Sequence, residues 1–209
     1  MTEQSWLDKW NSNFQRPEYV YGTQPNAFFK QELDKLSPGR ILLGAEGEGR
    51  NAVHAARQGW DVCAFDISEA GKNKALRLAA DAGVDIDYQV GELPDLTFEP
   101  ASFDALALIY AHFPPHLRSG YNQHLARLLR PGGMVIFEAF SKNHLAYRQQ
   151  DSRVGGPADI DALFSKEELL RDFKGFDMLV LQEQEVTLNE GLFHNGVGSV
   201  IRMVGRKPG

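Results

Sequence analysis

The sequence contains one cysteine, Cys63, which excludes a disulfide framework and any multi-cysteine zinc site. No apolar run approaches the roughly 18 residues that a membrane-spanning helix needs. The N-terminal stretch MTEQSWLDKWNSNF is polar and lacks the apolar core of a secretory leader. Positive charge is the scarcer sign: 22 Lys and Arg stand against 28 Asp and Glu, for a formal net charge of −6. That balance argues against a general nucleic-acid surface. Internal repeats and low-complexity tracts are missing as well. A globular protein is expected, with a cytoplasmic location as the best fit, and its 43% apolar and 24% charged residues are ordinary for one. At 209 residues a single domain is expected.

The order of elements is alternating. A first helix carries Trp6, Leu7, Trp10 and Phe14 at helical spacing, and a second carries Phe28, Phe29, Leu33 and Leu36. Between them YVYGTQPN (19–26) reads as a loop. Strands are expected at 40–44, 61–66, 86–90, 103–109 and 134–139. Helices fall between them at 51–58, from Ser68 to Ala82, and at 115–129. This alternation predicts a mostly parallel sheet with helices on both faces. Residues 140–164 read as an irregular insertion. Ser165 and Glu168 have the spacing of a capping box and open a short helix. The last strands, 176–186 and 197–206, leave no room for a helix between them and should pair antiparallel.

Gly47-Glu48-Gly49-Arg50-Asn51-Ala52 has the form G-x-G-x-x-A and sits between a predicted strand and a predicted helix. Glycines there let the backbone approach a ligand. Asp66 ends the second strand, where a carboxylate can accept hydrogen bonds from both hydroxyls of a ribose. Any adenosine-containing cofactor fits, so a nicotinamide dinucleotide and S-adenosylmethionine are both open. Glu46 beside the glycines would repel a pyrophosphate but suit a cationic ammonium or sulfonium. The chain also offers no second domain for a hydride-transfer substrate.

The antiparallel C-terminal strand pair resembles that of class I S-adenosylmethionine-dependent methyltransferases. EGEGRNAVHAARQGWDV (46–62) with FDIS (65–68) looks like the cofactor loop of the tellurite-resistance-type small-molecule enzymes. YVYGTQPN, the GGP at 155–157 and EGLFH (190–194) look like members of the same group. The resemblance implies an α/β, three-layer, doubly wound Rossmann-like sheet of seven strands, mostly parallel with the last antiparallel. It implies a domain spanning 1–209, with residues 1–38 as a helical lid and 140–164 near the acceptor. It also implies S-adenosylmethionine as cofactor, S-adenosylhomocysteine as product, and a small-molecule acceptor such as a thiol or a chalcogen oxyanion. The cofactor residues would be Glu46, Gly47, Gly49, Arg50, Asn51, Asp66, Ile67, Glu92, Leu93 and Tyr110. Two departures stand out. The first strand holds Leu43 where many members carry an acid, and Ala45 replaces the first loop glycine. Glu46 is then the candidate to hold the methionine ammonium. His194 is followed by Asn195 where the tellurite-resistance enzymes have arginine, which removes a cation from the acceptor site.

His112 and His194 are the candidate catalytic residues. Each is near the presumed acceptor, and a histidine near neutrality would serve a hydroxyl or amine acceptor. Tyr21 is a candidate to close over the cofactor. Arg148, Arg153 and His144 are candidates to meet an acidic acceptor, against their reading as solvated loop charges. His54, His116 and His124 read as structural or exposed. No His/Asp/Glu group has metal-ligand spacing, and neither nucleic acid nor membrane is an expected partner. A non-catalytic S-adenosylmethionine-binding module and a nicotinamide-dependent oxidoreductase are the competing readings.

Overall fold

A computed structural model describes residues 3–209. The strands are β1 (Arg40–Gly44), β2 (Asp61–Asp66), β3 (Asp87–Val90), β4 (Phe103–Ile109), β5 (Leu129–Phe140), β6 (Asp177–Glu190) and β7 (His194–Arg206). The helices are α1 (Glu3–Phe14), α2 (Ala27–Leu33), α3 (Arg50–Arg57), α4 (Glu69–Ala82), α5 (Pro115–Leu128), α6 (His144–Gln150) and α7 (Lys166–Asp172). They build one seven-stranded sheet in the order β3-β2-β1-β4-β5-β7-β6. The first five strands run parallel, and β7 lies antiparallel between β5 and β6. This is the expected three-layer fold.

The strands alternate between two cores, as a sheet covered on both faces must. Leu42, Cys63, Phe65, Leu106 and Leu108 face α5 and α7, meeting Leu125, Leu128, Leu169 and Phe173. Ile41, Leu43, Val62, Ala64, Ala105 and Ala107 face the other way, onto Phe29 and Leu33 of α2, Val53 of α3 and Ala75 and Ala79 of α4. Leu43 is therefore a core residue. An acid in its place would be buried against α2 and α3.

Local chemistry sets the helix ends. The Ser68 hydroxyl accepts the Gly71 N–H at the start of α4, and Gly83 ends that helix in the left-handed region. Ser165 and Glu168 form the full capping box of α7. Two expectations need correction. Residues 140–164 are not irregular throughout: α6 forms within them, followed by single turns at Ser152–Val154 and Ile160–Ala162. The last two strands are also longer than expected. They meet at the pair Glu190–His194, so His194 begins β7 instead of lying in a loop.

Candidate functional site

The sheet order reverses between β1 and β4, and the crevice outside their carboxyl ends is where open α/β sheets bind ligands. A cavity of about 1010 Å³ lies there. Its two lips are strained. Ala45, just past β1, has φ +51°, and Tyr110, just past β4, has φ +52°. Non-glycine residues held in this region cost of order 1–3 kcal/mol each and cluster at functional sites. Ala45 thus holds a left-handed backbone that a glycine would take without strain.

Of the sequence candidates, Glu46, Gly47, Arg50, Asp66, Ile67, Glu92, Leu93, Tyr110, His112 and His194 all line this cavity. Gly49 and Asn51 do not line it. Gly49 has φ +85°, and a Cβ on it would lie 2.5 Å from the Ala75 Cβ, so its work is to let α3 pack on α4. Asn51 sits between Glu46 and the N-terminal segment, its Nδ2 3.5 Å from Glu46 Oε2. Its Oδ1 accepts the Asn26 N–H at 2.9 Å, which anchors the N-terminal segment.

Asp66 and Glu46 are the acids of the cavity wall that flank the glycine loop. Asp66 accepts the Gly47 N–H at 3.0 Å on Oδ2 and the Ser68 N–H at 2.9 Å on Oδ1. Burial pushes its pKa up to about 6, against those bonds. Glu46 accepts the N–H groups of Asn51 and Ala52, both at 2.8 Å, and so caps α3. Burial raises it to about 7.

The resemblance motifs outside the glycine loop converge on His194. In the 19–26 segment, Glu48 accepts the Val20 N–H at 2.8 Å and pairs with Lys74 at 2.7 Å. The Val20 carbonyl accepts the Leu192 N–H at 2.7 Å. Gly191 meets this segment backbone to backbone: a Cβ there would lie 2.5 Å from both Gly22 N and Val20 O. On the other side a Cβ on Gly155 would lie 2.1 Å from the Phe193 carbonyl oxygen. A Gly191→Ala chain is therefore expected to undock residues 19–26. Faster proteolysis in that segment, with a stability loss of about 1–3 kcal/mol, is the expected readout. Wild-type resistance to protease would contradict the docking.

His194 is buried, with its ring centroid 4.6 Å from those of Tyr21 and Tyr110 and 5.1 Å from that of Phe140. Its Nδ1 is 3.0 Å from Glu190 Oε2. Burial lowers its pKa, opposed by Glu190. Neither ring nitrogen of His112 has a hydrogen bond of good geometry, and burial and the nearby His194 and Lys9 bring its pKa down to about 3. Both histidines are neutral at neutral pH.

The remaining candidates separate cleanly. His144 is fully buried and clamped, with Nε2 3.1 Å from the Gly155 carbonyl oxygen and Nδ1 accepting the Ser199 N–H at 3.3 Å. It does not line the cavity and is not a solvated charge. Arg148 lines the cavity and donates to the Gly156 carbonyl at 2.9 Å. Arg153 also lines it, but pairs with Asp151 at 2.8 Å in the open. His116, read as structural or exposed, stands exposed on the cavity's edge. Sequence reasoning passed over Glu190, although the EGLFH motif places it four residues before His194. It also passed over Lys9, which lines the cavity between Trp6 and Trp10.

Residues 41–133 match the family model described as a methyltransferase domain. A ubiquinone biosynthesis O-methyltransferase from Xylella fastidiosa is 30% identical over 115 residues, covering 54% of this chain and 46% of that protein. The chain spans about half the length of the curated relatives it matches. Among solved structures, magnesium protoporphyrin IX methyltransferase from Synechocystis, with bound SAH, superposes with TM-score 0.71 at 17% identity, covering 98% of each chain. TehB from Haemophilus influenzae gives TM-score 0.69 at 16% identity, covering 88% of this chain and 62% of its own. The matched stretch runs from β1 to the turn within β5 and contains the glycine loop, Asp66 and the reversal point. The chain thus has the Rossmann-like methyltransferase fold, with a methyltransferase-domain match over residues 41–133, which form part of the crevice.

Proposed function

We propose that this protein is an S-adenosylmethionine-dependent methyltransferase acting on a small molecule. The observation that carries the reading is the switch-point cavity, with a desolvated carboxylate, Asp66, at the end of β2 and the Gly47 backbone beside it. The cavity is at the upper end of the range for small-molecule sites, large enough for a donor and an acceptor together. Bound S-adenosylmethionine supplies a methyl group already activated by its sulfonium charge. The residues present fit it. Asp66 would take the ribose hydroxyls, Glu92 and Leu93 would lie by the adenine, and Ile67 would cover the ring system. Glu46 faces the cationic end, and Tyr110 borders the reacting centre. Arg50 acts one step back: it donates to the Tyr21 carbonyl at 3.1 Å and pairs with Glu190 at 3.1 Å, which ties the N-terminal segment to β6. The segments 3–38 and 140–164 would enclose the acceptor and exclude water. A cytoplasmic site of action completes the proposal.

A thiol or chalcogen oxyanion and a neutral hydroxyl are the acceptor classes to separate. Lys9 and Arg148 on the cavity wall support an anion. Asn195 weighs against an oxyanion at His194, since its amide donates to the Gly191 carbonyl at 2.6 Å and offers no cation. The direct test is calorimetric titration with S-adenosylmethionine, S-adenosylhomocysteine and NAD⁺. Micromolar binding of the first two and none of the third is expected. Binding of NAD⁺ alone would overturn the proposal, and cofactor binding without turnover on any acceptor would favour a non-catalytic module.

A pH effect follows from the two acids. Their pKa values rise on folding, so each adds stability to the unliganded chain at low pH that is lost as pH climbs through about 6 for Asp66 and about 7 for Glu46. A cationic ligand favours both ionised forms. Binding near pH 6.5 should therefore release protons, and affinity should rise from pH 5.5 to 8. Identical heats in buffers of different ionisation enthalpy would contradict this.

A further inference from the structure

We infer that Glu190 positions His194 as a proton acceptor, and that the methyl acceptor is a planar molecule with a neutral, phenol-like hydroxyl. The inference rests on the methyltransferase reading and selects the acceptor class for it.

The geometry begins at the carboxylate. Glu190 Oε2 meets His194 Nδ1 at 3.0 Å and the Arg50 guanidinium at 3.1 Å, while Oε1 accepts from Asn26 Nδ2 at 3.0 Å. Both oxygens are engaged from three different elements, so the group cannot turn. An ionised carboxylate only accepts, so Nδ1 must carry the ring proton. Nε2 is then the lone-pair nitrogen. Among the described residues only Nδ1 of this ring is seen in a hydrogen bond, and His194 lines the cavity. Tyr21, Tyr110 and Phe140 hold the ring from the sides.

This arrangement suits one kind of acceptor. A thiolate or reduced chalcogen arrives as an anion and needs no base, and a lone pair backed by a carboxylate would repel it. A neutral hydroxyl is a poor nucleophile until it can shed its proton. In the reaction the hydroxyl oxygen bonds the methyl carbon as the carbon–sulfur bond breaks, and that electron pair stays with sulfur as a thioether. The hydroxyl proton passes to Nε2, Glu190 balances the imidazolium charge, and water later removes the proton. The aromatic wall argues for a flat acceptor: Trp10, Phe113, Tyr121 and Phe193 all border the cavity.

The charged and titratable groups around His194 come from every side. Glu190 on β6 and Glu138 on β5 raise its proton affinity, and Arg50 on α3 and burial lower it. His112 after β4 and His144 on α6 are coupled to it by charge, and each is itself lowered by burial. The acid limb of the rate profile should therefore fall below the ordinary histidine range.

The test compares naphthol with naphthalenethiol as probes, in the wild type and Glu190→Gln. With naphthol, kcat is expected to fall at least about tenfold while KM stays within about twofold. The acid limb should also move to lower pH, because the variant loses the charge that favours protonated His194. Turnover of naphthalenethiol should change less than about twofold. Equal losses on both probes, or none, would overturn the assignment. A nitrogen NMR arm decides even if neither probe turns over. In the S-adenosylhomocysteine complex, His194 Nε2 must resonate as an unprotonated nitrogen and shift when naphthol is added. A protonated Nε2, or a resonance unmoved by naphthol, sinks the inference. Failure of S-adenosylmethionine to bind the wild type would instead sink the methyltransferase reading.

Discussion

Gly49→Val is expected to lose about 2–5 kcal/mol of stability, combining the left-handed backbone penalty with overpacking. The backbone at Gly49 has φ +85°, which a β-branched residue does not accept. A Cβ there would lie 2.5 Å from the Ala75 Cβ and 2.7 Å from the Ala75 Cα, and the second of these is backbone in the middle of α4. Neither helix can yield without parting from the sheet, because Val53 of α3 and Ala75 and Ala79 of α4 belong to one core. Gly47, two residues earlier, differs. A Cβ there would meet the far end of the Phe14 ring at 2.9 Å, and a ring can move. Gly47 also has φ +63°, so Gly47→Ala should lose about 1–2 kcal/mol to the left-handed backbone, without the helix clash, and disturb the seating of α1 over the cavity. Denaturant titration of both variants separates the two roles, and wild-type stability for Gly49→Val would refute the packing account.

That contrast marks how far the sequence could be read. The strands facing two cores were legible because a buried parallel strand is a short apolar run between turn residues, as in RILLG and FDALALI. Seven residues of α6 carry too little periodicity to stand out. The ends of β6 and β7 were hidden by glycines that normally break strands. Here Gly196 lies within β7 with φ +119°, and a Cβ on it would lie 2.9 Å from Val154 Cγ1. Glycine in this strand marks a close approach and not a turn.

The crevice was legible in part because topology puts it there: glycine loop, Asp66 and the post-β4 residues lie at consecutive strand ends. The role of each glycine was not, because G-x-G-x-x-A does not say which glycine faces a ligand and which faces a helix. Glu46 was read for its charge, while the structure also uses it to satisfy the free N–H groups of α3. The Glu190–His194 pair was visible as EGLFH. Its meaning depends on Arg50 and Asn26, which lie 140 and 164 residues away in sequence from Glu190. Such partners come from the fold, and no local spacing reports them.

Asp66→Ala is expected to weaken S-adenosylmethionine binding at least about tenfold while the protein stays folded. Hydrogen bonds to a charged group contribute about 1.5–3 kcal/mol each, which is roughly tenfold to a hundredfold in affinity. The carboxylate is already oriented before any ligand arrives, because the Gly47 and Ser68 N–H groups fix its plane at the end of β2. Alanine removes the acceptor and leaves those two N–H groups unpaired, so some stability goes with it. Asp66→Asn separates the effects, because its amide oxygen can still accept one of the N–H groups while the charge is gone. If the charge matters, the Asn variant should bind nearly as weakly as the Ala variant. The wild type should approach both as pH falls through about 6, where Asp66 takes up its proton. Unchanged affinity in Asp66→Ala by calorimetry would overturn the ribose assignment. Weaker binding with a preserved pH dependence would mean that Glu46, which titrates near 7, carries the linkage instead.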